Sequence, residues 1–168
     1  MAHDPPVVIL GVDPGTRVTG WGIVVAGGAD ARALEADIIA PSARLPLDRR
    51  LLEIFEGLRE VIARHRPAEM AVEEPFVGAN VRSAMAVGEA RTVAMLAAAL
   101  AGVPVHHYPP ATVKQAVAGS GRGEKAQVRE MLRLQLGMAK PPADLNASDA
   151  LAVALCHAMQ LRARALVG

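Results

Sequence analysis

The stretch VVILGVDPGTRVTGWGIVVAG, residues 7–27, places two apolar runs on either side of an Asp-Pro-Gly turn signal. The first run, residues 7–12, is as uniformly apolar as a strand that is buried on both faces. The second run, residues 19–27, is rich in valine, isoleucine and glycine and predicts another strand. Residues 32–40 are a third candidate strand. Three strands joined by short turns indicate an antiparallel meander.

Beyond residue 40 the apolar residues change from strand-like to helical spacing, and the two patterns then alternate. Residues 47–66 repeat apolar side chains every three to four positions, which predicts an amphipathic helix ended by Pro67. The remaining predicted elements are a strand at 70–72, an alanine-rich helix over 79–101, a strand at 103–108, a short helix from Pro109, and helices over 124–136 and 146–167. We therefore predict a single α/β domain over residues 1–168. Its five-stranded mixed sheet has three antiparallel strands followed by βα units, flanked by helices.

The composition is that of a globular protein from a reducing compartment. Of the 168 residues, 52% are hydrophobic and 21% charged, so the chain is not expected to be disordered. A single cysteine, Cys156, excludes an intrachain disulfide. The start MAHDPPVV lacks the basic region of a signal peptide, and the longest apolar stretch, 13 residues, is shorter than the roughly 18–20 of a membrane span. We expect a soluble, cytoplasmic protein that does not bind membranes.

Charge is distributed unevenly along the chain, although the net charge is only +1. Residues 1–99 carry 10 basic and 13 acidic side chains, whereas residues 100–168 carry 8 basic and 4 acidic ones. Six of those basic residues lie between Lys114 and Lys140. This segment is either a face that binds a polyanion or a solvated helix surface. Aromatic residues make up only 2% of the chain, which argues against a protein that binds single strands by stacking.

Acidic side chains follow two of the predicted strands. Asp13 closes the first strand, and it either caps the Pro-Gly turn or serves as a metal ligand. Glu73 and Glu74 follow the fourth strand. Because side chains alternate along a strand, only one of these two glutamates can share a face with Asp13. Open α/β sheets place their functional sites at such strand ends.

A third acid, Asp149, lies in the first turn of the last helix, three residues after Asn146. The two side chains either stabilise the start of the helix or join Asp13 and Glu73 in one site. Carboxylates that converge from distant parts of a chain suit Mg²⁺ or Mn²⁺. A pair of such ions commonly hydrolyses phosphodiesters.

The histidines do not predict a metal site. With one cysteine, and five histidines at no familiar ligand spacing, a Cys/His zinc site is not expected. His106 and His107 are predicted to be strand residues. His157, among apolar residues of the last helix, is predicted to be a core histidine whose hydrogen bonds are satisfied.

Four blocks, in the same order as in one known family, span nearly the whole chain. They are ILGVDPGTRVTGWG at 9–22, AVEEPF at 71–76, VKQ at 113–115 with GEKAQV at 123–128, and ASDALAVA at 147–154. Together they resemble the RuvC family of bacterial Holliday-junction resolvases. The resemblance implies an RNase H-like fold and a homodimer that cuts symmetrically related strands of four-way junction DNA during recombination and repair. It also implies two Mg²⁺ ions per active site, with Mn²⁺ as substitute, and the RuvA–RuvB branch-migration complex as partner.

The resemblance assigns roles to individual residues. Asp13, Glu73 and Asp149 match the family's metal-binding catalytic acids, and Lys114 and Lys125 match lysines beside the scissile phosphate. The residues expected to contact DNA are Phe76, Lys114, Lys125, Arg122 and Arg129. Phe76, which matches an aromatic contact near the junction centre, could equally be a core residue. The helix over residues 79–101 corresponds to the family's dimer contact.

One position departs from the pattern of many family members. Where they have an acid three residues before the final aspartate, this chain has Asn146. An amide offers a carbonyl oxygen but no charge, so we expect weaker Mg²⁺ binding and a preference for Mn²⁺. Asp144 precedes the predicted helix and is a poor replacement for the missing acid.

Two other classes of protein compete with the nuclease. An actin-like ATPase also has an Asp-x-Gly-Thr turn on its first strand, but it needs a second such domain and a second phosphate loop. This chain has 168 residues and no second Asp-x-Gly-Thr block, so it lacks both. A junction-binding module without activity is disfavoured because Asp13, Glu73 and Asp149 are all present.

Overall fold

The computed structural model describes residues 5–28, 30–76, 78, 80–119 and 124–167, in which helices cover both faces of a mixed sheet. The strands are β1 (Val7–Asp13), β2 (Thr19–Gly27), β3 (Asp30–Ile39), β4 (Glu69–Glu73) and β5 (Val105–Tyr108). The helices are α1 (Leu47–His65), α2 (Val81–Leu100), α3 (Pro110–Ala118), α4 (Lys125–Gln135) and α5 (Leu145–Val167).

The five described strands form one sheet in the order β3-β2-β1-β4-β5. The first three pair antiparallel, while β4 pairs parallel to β1 and β5 pairs parallel to β4. The predicted fold class is therefore confirmed. The predicted fifth strand began two residues too early, because Gly102, with φ of 71°, still turns the chain and Pro104 lacks an N–H for the ladder.

Alternating side chains divide β1 between two cores. Ile9 points to the side covered by α3, α4 and α5, whereas Leu10 and Val12 point to the side covered by α1 and α2. Gly11 and Asp13 share the side of Ile9, since they lie two and four residues further along the strand. The carboxylate that ends β1 is therefore on the α5 side of the sheet.

Glycines in β1 and β2 let α5 lie directly on the sheet. A Cβ at Gly11 would stand 2.0 Å from the carbonyl oxygen of Ala150, and a Cβ at Gly20 would stand 2.0 Å from that of Asn146. These distances leave no room for any side chain. The close contact brings the first turn of α5 over the end of β1, because Gly20 pairs with Asp13 in the β1–β2 ladder.

Two described helices, α2 and α5, are long and apolar enough to cross a membrane when judged by length and composition alone. Half of the most apolar part of α5 is buried within the protein, as is typical of a core helix. In α2 only 22% of the corresponding part is buried, so this helix has an apolar surface that the described chain does not cover.

Candidate active site

Asp13 and Glu73 end neighbouring parallel strands on the same face of the sheet. Val12 of β1 is in register with Val72 of β4, so the next residue of each strand, Asp13 or Glu73, lies at the same edge. Neighbouring strands are about 4.8 Å apart. Both side chains point toward α5, because Ala71, two residues before Glu73, belongs to the core on that side. The structure therefore brings these two predicted acids together.

Asp149 joins them from the second turn of α5, and not from the first turn as predicted, because the helix begins at Leu145. The backbone of Asn146 packs against Gly20, which lies opposite Asp13 on β2. Asp149 is three residues further along, on the same side of the helix as Asn146. The negative charge of Asp149 raises the pKa values of both Asp13 and Glu73, as expected for carboxylates at close range.

Burial is the main cause of the raised pKa values in this group of acids. It raises the pKa of Asp13 to about 8, with added repulsion from the charges of Asp149, Glu73 and Asp144. It raises the pKa of Glu73 to about 7, with added repulsion from Asp149. Three neighbouring acids with raised pKa values mark this group as a candidate functional site.

The carboxyl group of Asp149 is in a different electrostatic position. The residue as a whole is exposed to solvent, yet the atoms packed around its carboxyl group raise its pKa. The positive charges of Lys125 and Arg129 oppose that shift. Asp149 therefore lies where the acidic group meets the basic side chains of α4.

Asp144 caps the start of α5 and contacts Asn146. Its Oδ1 accepts hydrogen bonds from the backbone N–H of Asn146 at 2.7 Å and from Nδ2 of Asn146 at 3.0 Å. Its charge also raises the pKa values of Asp13 and Asp149, so it lies close to the acidic group although it precedes the helix. The amide nitrogen of Asn146 donates in this contact, so its Oδ1 is the atom that can accept a hydrogen bond or bind a metal ion.

A cleft of about 250 Å³ opens beside the carboxylates. Glu73 and Asp149 line it together with Lys114 from α3 and with Lys125 and Arg129 from α4. Four of the five predicted catalytic residues thus share one cleft with Arg129, and three of these lining residues (Lys114, Lys125 and Arg129) are predicted DNA contacts. Its mixture of acidic and basic side chains can hold cations and a phosphate group side by side.

Other predicted residues lie outside this cleft. The side chain of Phe76, three residues after β4, is 78% exposed, which excludes the core interpretation. Burial and the charge of Arg91, 2.9 Å from Nδ1 of His107, lower the pKa of that histidine, and the charge of Glu74 opposes this shift. Glu74 thus lies beside His107 and not beside the acidic group, as alternation along the strand predicted. Arg122 lies outside the described residues.

The structure also brings together a group that the sequence interpretation missed. Glu69, His106 and His157 place a carboxylate oxygen and two imidazole nitrogens within 4.8 Å of one another. Tyr108 contacts His157 as well, so the prediction of a buried, hydrogen-bonded histidine is confirmed. Spacing could not reveal the group, because Glu69 and His157 are 88 positions apart. The only available signal was a histidine on an otherwise apolar helix.

Sequence comparison identifies close relatives over nearly the entire chain. Residues 9–157 match the family model described as crossover junction endodeoxyribonuclease RuvC. The enzyme of that name from Chloroflexus aurantiacus is 51% identical over 149 residues, which cover 89% of this chain and 91% of that protein. The one from Dehalococcoides mccartyi is 47% identical over 152 residues, covering 90% and 91%.

Structural comparison agrees with these relatives. Thermus thermophilus RuvC, solved in complex with a Holliday junction substrate, superposes with a TM-score of 0.88 at 40% identity, covering 94% of this chain and 96% of the other. The resolvase of Fowlpox virus, at 11% identity and a TM-score of 0.59, shares the fold. A family match over most of the chain, half of the residues identical to named members and the same fold lead to one conclusion: the chain belongs to the RuvC family of crossover junction endodeoxyribonucleases.

Proposed function

We propose that this junction-resolving endonuclease hydrolyses phosphodiesters at the group formed by Asp13, Glu73 and Asp149. The observation that carries the proposal is the crowding of these acids, in which burial and mutual repulsion raise the pKa of Asp13 to about 8. Burying carboxylates so close together is unfavourable unless positive charge compensates them. Divalent cations supply that charge, so the cost of assembling the group is accounted for by metal binding.

The donor atoms of the group fit Mg²⁺. Asp13, Glu73 and Asp149 would hold two ions with carboxylate oxygens, and Asn146 would add an amide oxygen. Such an all-oxygen set is the one that Mg²⁺ and Mn²⁺ prefer. When bound, the two ions would activate a water molecule and stabilise the leaving oxygen. Lys114 and Lys125, which line the same cleft, would stabilise the negative charge that develops on the scissile phosphate.

We further propose that the remaining predicted contacts bind the junction. Phe76 is exposed and would contact a base near the junction centre, while Lys125 and Arg129 would contact phosphates. Arg122 belongs to the same basic segment of the sequence and is assigned the same role.

Two alanine variants are expected to weaken junction binding for different reasons. Lys125→Ala should lower the slope of log affinity against log salt concentration by about 1, because one phosphate contact is lost. Phe76→Ala should leave that slope unchanged and weaken binding by about 1–3 kcal/mol, because a base contact is lost. Fluorescence anisotropy of a labelled four-way junction at several salt concentrations measures both quantities. Unchanged affinity for Phe76→Ala would argue against its role as a base contact.

The exposed face of α2 supports the proposal of a homodimer. Val81, Met85, Leu96 and Leu100 are large apolar residues of this helix that remain exposed in the single chain. A two-fold contact between two copies of α2 would remove these side chains from water. The same symmetry would place two active sites opposite symmetrically related strands of the junction. Sedimentation equilibrium should give about twice the chain mass of 17.5 kDa. A monomer at cleavage concentrations would contradict the dimer.

We also assign this chain a single nuclease domain, a cytoplasmic location and cooperation with the RuvA–RuvB complex. Paired incisions produce nicked duplexes that a ligase can seal, whereas the direction of branch migration has to be supplied from outside the nuclease.

Pull-down of this protein with purified RuvA–RuvB bound to a four-way junction would test the proposed cooperation with RuvA–RuvB. Absence of a ternary complex would contradict it.

The proposed activity has a direct test. A four-way junction with each strand labelled in turn is incubated with the protein and Mg²⁺ or Mn²⁺. We expect paired nicks at symmetrical positions, products that ligase seals, and no cleavage of a linear duplex of the same sequence. Binding without nicking in either metal would instead support a junction-binding module without activity.

The amide at position 146 gives a prediction about metal affinity. Asn146→Asp is expected to lower the Mg²⁺ concentration for half-maximal cleavage by roughly tenfold, because it adds a charge to the ligand set. The ratio of activity in Mn²⁺ to activity in Mg²⁺ should fall at the same time. Titration of the cleavage rate with each metal measures both effects.

Asp144 provides the matched control for this change. Asp144→Asn removes an existing carboxylate two residues earlier and keeps a side chain that can cap α5. If Asp144 supplies charge to the metal site, this variant needs more Mg²⁺ than the wild type. Unchanged metal dependence of Asn146→Asp would contradict the proposed place of Asn146 in the ligand set.

A further inference from the structure

A second cluster of ligand-type side chains lies on the α5 side of the sheet, away from the proposed active site. Glu69 begins β4, whereas Glu73 ends it, so the two glutamates are at opposite ends of the same strand. His106 is on the neighbouring strand β5, and His157 is on α5. None of these three residues takes part in the proposed cleavage.

The two imidazoles converge on one carboxylate oxygen. Oε2 of Glu69 is 2.7 Å from Nε2 of His106 and 2.8 Å from Nε2 of His157. The two rings stack with centroids 4.3 Å apart, so both present the same nitrogen to the same point. Tetrahedral ligands at the usual 2.0–2.1 Å from an ion lie about 3.3–3.4 Å from one another. The Glu69 oxygen and the two nitrogens would therefore have to separate by about 0.6 Å to admit one.

The surroundings of the cluster suit metal binding. The hydroxyl group of Tyr108 is 2.6 Å from Nδ1 of His157, which is the outer hydrogen bond that commonly orients a ligating histidine. With an ion at Nε2, the Nδ1–H would donate to the Tyr108 oxygen. His157 is fully buried, while the side chains of Glu69 and His106 are 24% and 29% exposed. An ion can therefore enter from solvent and keep a water ligand on that side.

We propose that Glu69, His106 and His157 form a binding site for a transition-metal ion, with Zn²⁺ as the expected occupant. Two imidazole nitrogens, one carboxylate oxygen and a water make a four-coordinate set that suits Zn²⁺. The same set is poor for Mg²⁺, which prefers oxygen ligands in octahedral geometry. The chain thus has two chemically distinct metal sites at opposite ends of β4.

The site links the elements that carry the proposed catalytic acids. An ion held here would join β4, which bears Glu73, to α5, which bears Asp149, by bonds that do not depend on side-chain packing. Binding only to the folded chain would stabilise it in proportion to the logarithm of the ion concentration. We expect the midpoint of thermal unfolding to rise by roughly 5 °C or more at a hundredfold excess over the dissociation constant.

The test compares wild type with His106→Ala and with His107→Ala, a matched variant whose histidine is on the same strand but contacts Arg91 instead. Zn²⁺ is titrated by calorimetry in excess Mg²⁺, and Co²⁺ is titrated as an optical probe of tetrahedral nitrogen ligation. Wild type and His107→Ala should bind one Zn²⁺ per chain. His106→Ala should bind at least roughly a hundredfold more weakly and lose the Co²⁺ absorption bands.

A second variant keeps the test decisive if His106→Ala fails to fold by circular dichroism. Glu69→Gln preserves the shape of the side chain and removes only the charge, and it should weaken Zn²⁺ binding in the same way. The proposal is overturned if wild type shows no Zn²⁺-dependent rise in its unfolding midpoint. It is equally overturned if folded His106→Ala or Glu69→Gln binds Zn²⁺ as tightly as His107→Ala.

Discussion

Asp13→Asn is expected to lower the rate of junction cleavage by at least about 10³-fold, while the affinity for the junction stays within a few-fold of the wild-type value. The substitution keeps the size of the side chain but removes a charge from the acidic group that would hold the two catalytic ions. A loss of this size corresponds to about 4 kcal/mol of transition-state stabilisation. Single-turnover cleavage in Mg²⁺ and anisotropy without divalent metal measure the two quantities separately.

The same variant should be more stable than wild type when no divalent metal is present. The pKa of Asp13 in the folded protein is about 8, above its ordinary 3.8, so the folded state holds this proton more tightly than the unfolded state does. In the wild type, the contribution of Asp13 to the free energy of unfolding is fully present below pH 3.8. It is lost as the pH rises through about 8, where the folded protein must give up the proton. Asparagine does not titrate and avoids this loss. At pH 8 the free energy of unfolding of Asp13→Asn should therefore exceed that of the wild type by on the order of 2–4 kcal/mol.

Thermal unfolding in a chelator between pH 5 and pH 9 checks this dependence. The difference in unfolding midpoint between Asp13→Asn and wild type should grow with pH and level off above about pH 8. Asp48→Asn, which changes an aspartate with a 78% exposed side chain, is the control and should cleave normally. A midpoint difference that does not vary with pH, or full cleavage by Asp13→Asn, would remove Asp13 from the active site.

Gly20→Ala is expected to have the largest effect on folding. Its Cβ would lie 2.0 Å from the carbonyl oxygen of Asn146, a backbone atom that cannot rotate away. The first turn of α5 would have to move off the sheet, carrying Asp149 away from Asp13. We expect a loss of at least about 3 kcal/mol of stability and no measurable cleavage under conditions where the variant remains folded.

Gly27→Ala is the matched control on the same strand. Its Cβ would meet Pro6 at 3.4 Å, which is close to ordinary contact, and its backbone does not require glycine. This variant should differ from wild type by no more than about 1 kcal/mol. Urea denaturation of both variants, followed by junction cleavage, separates the two cases. Wild-type stability of Gly20→Ala would contradict direct packing of the α5 backbone against Gly20.

Much of the fold could be predicted because its signals are local. The apolar run of β1, the Asp-Pro-Gly turn and the glycine-rich β2 lie within 21 consecutive residues and indicate a hairpin without reference to the rest of the chain. Helices α1 and α4 show the same locality in their amphipathic spacing. The start of β5 was misplaced, because a turn at Gly102 and a proline look apolar in a window but cannot extend a ladder.

The candidate site divides in the same way. Alternation along β4 predicted that only one of Glu73 and Glu74 would face the acidic group, and the parallel register with β1 identifies it as Glu73. The environment of Phe76 could not be decided, because exposure depends on whether another element covers the residue. The sequence did not indicate that Asp144 lies near Asp13, because its position depends on how the start of α5 packs over the sheet.

By itself the sequence determined the order of the strands and helices, the family, and which residue types stand at the strand ends, because each follows from short-range pattern or from similarity along the chain. Only the tertiary structure decided that Glu69, His106 and His157 meet and that burial holds the pKa of Asp13 near 8. Both depend on α5 lying against glycines of β1 and β2. Long-range packing of that kind sets distances and dielectric environment, which no local pattern encodes.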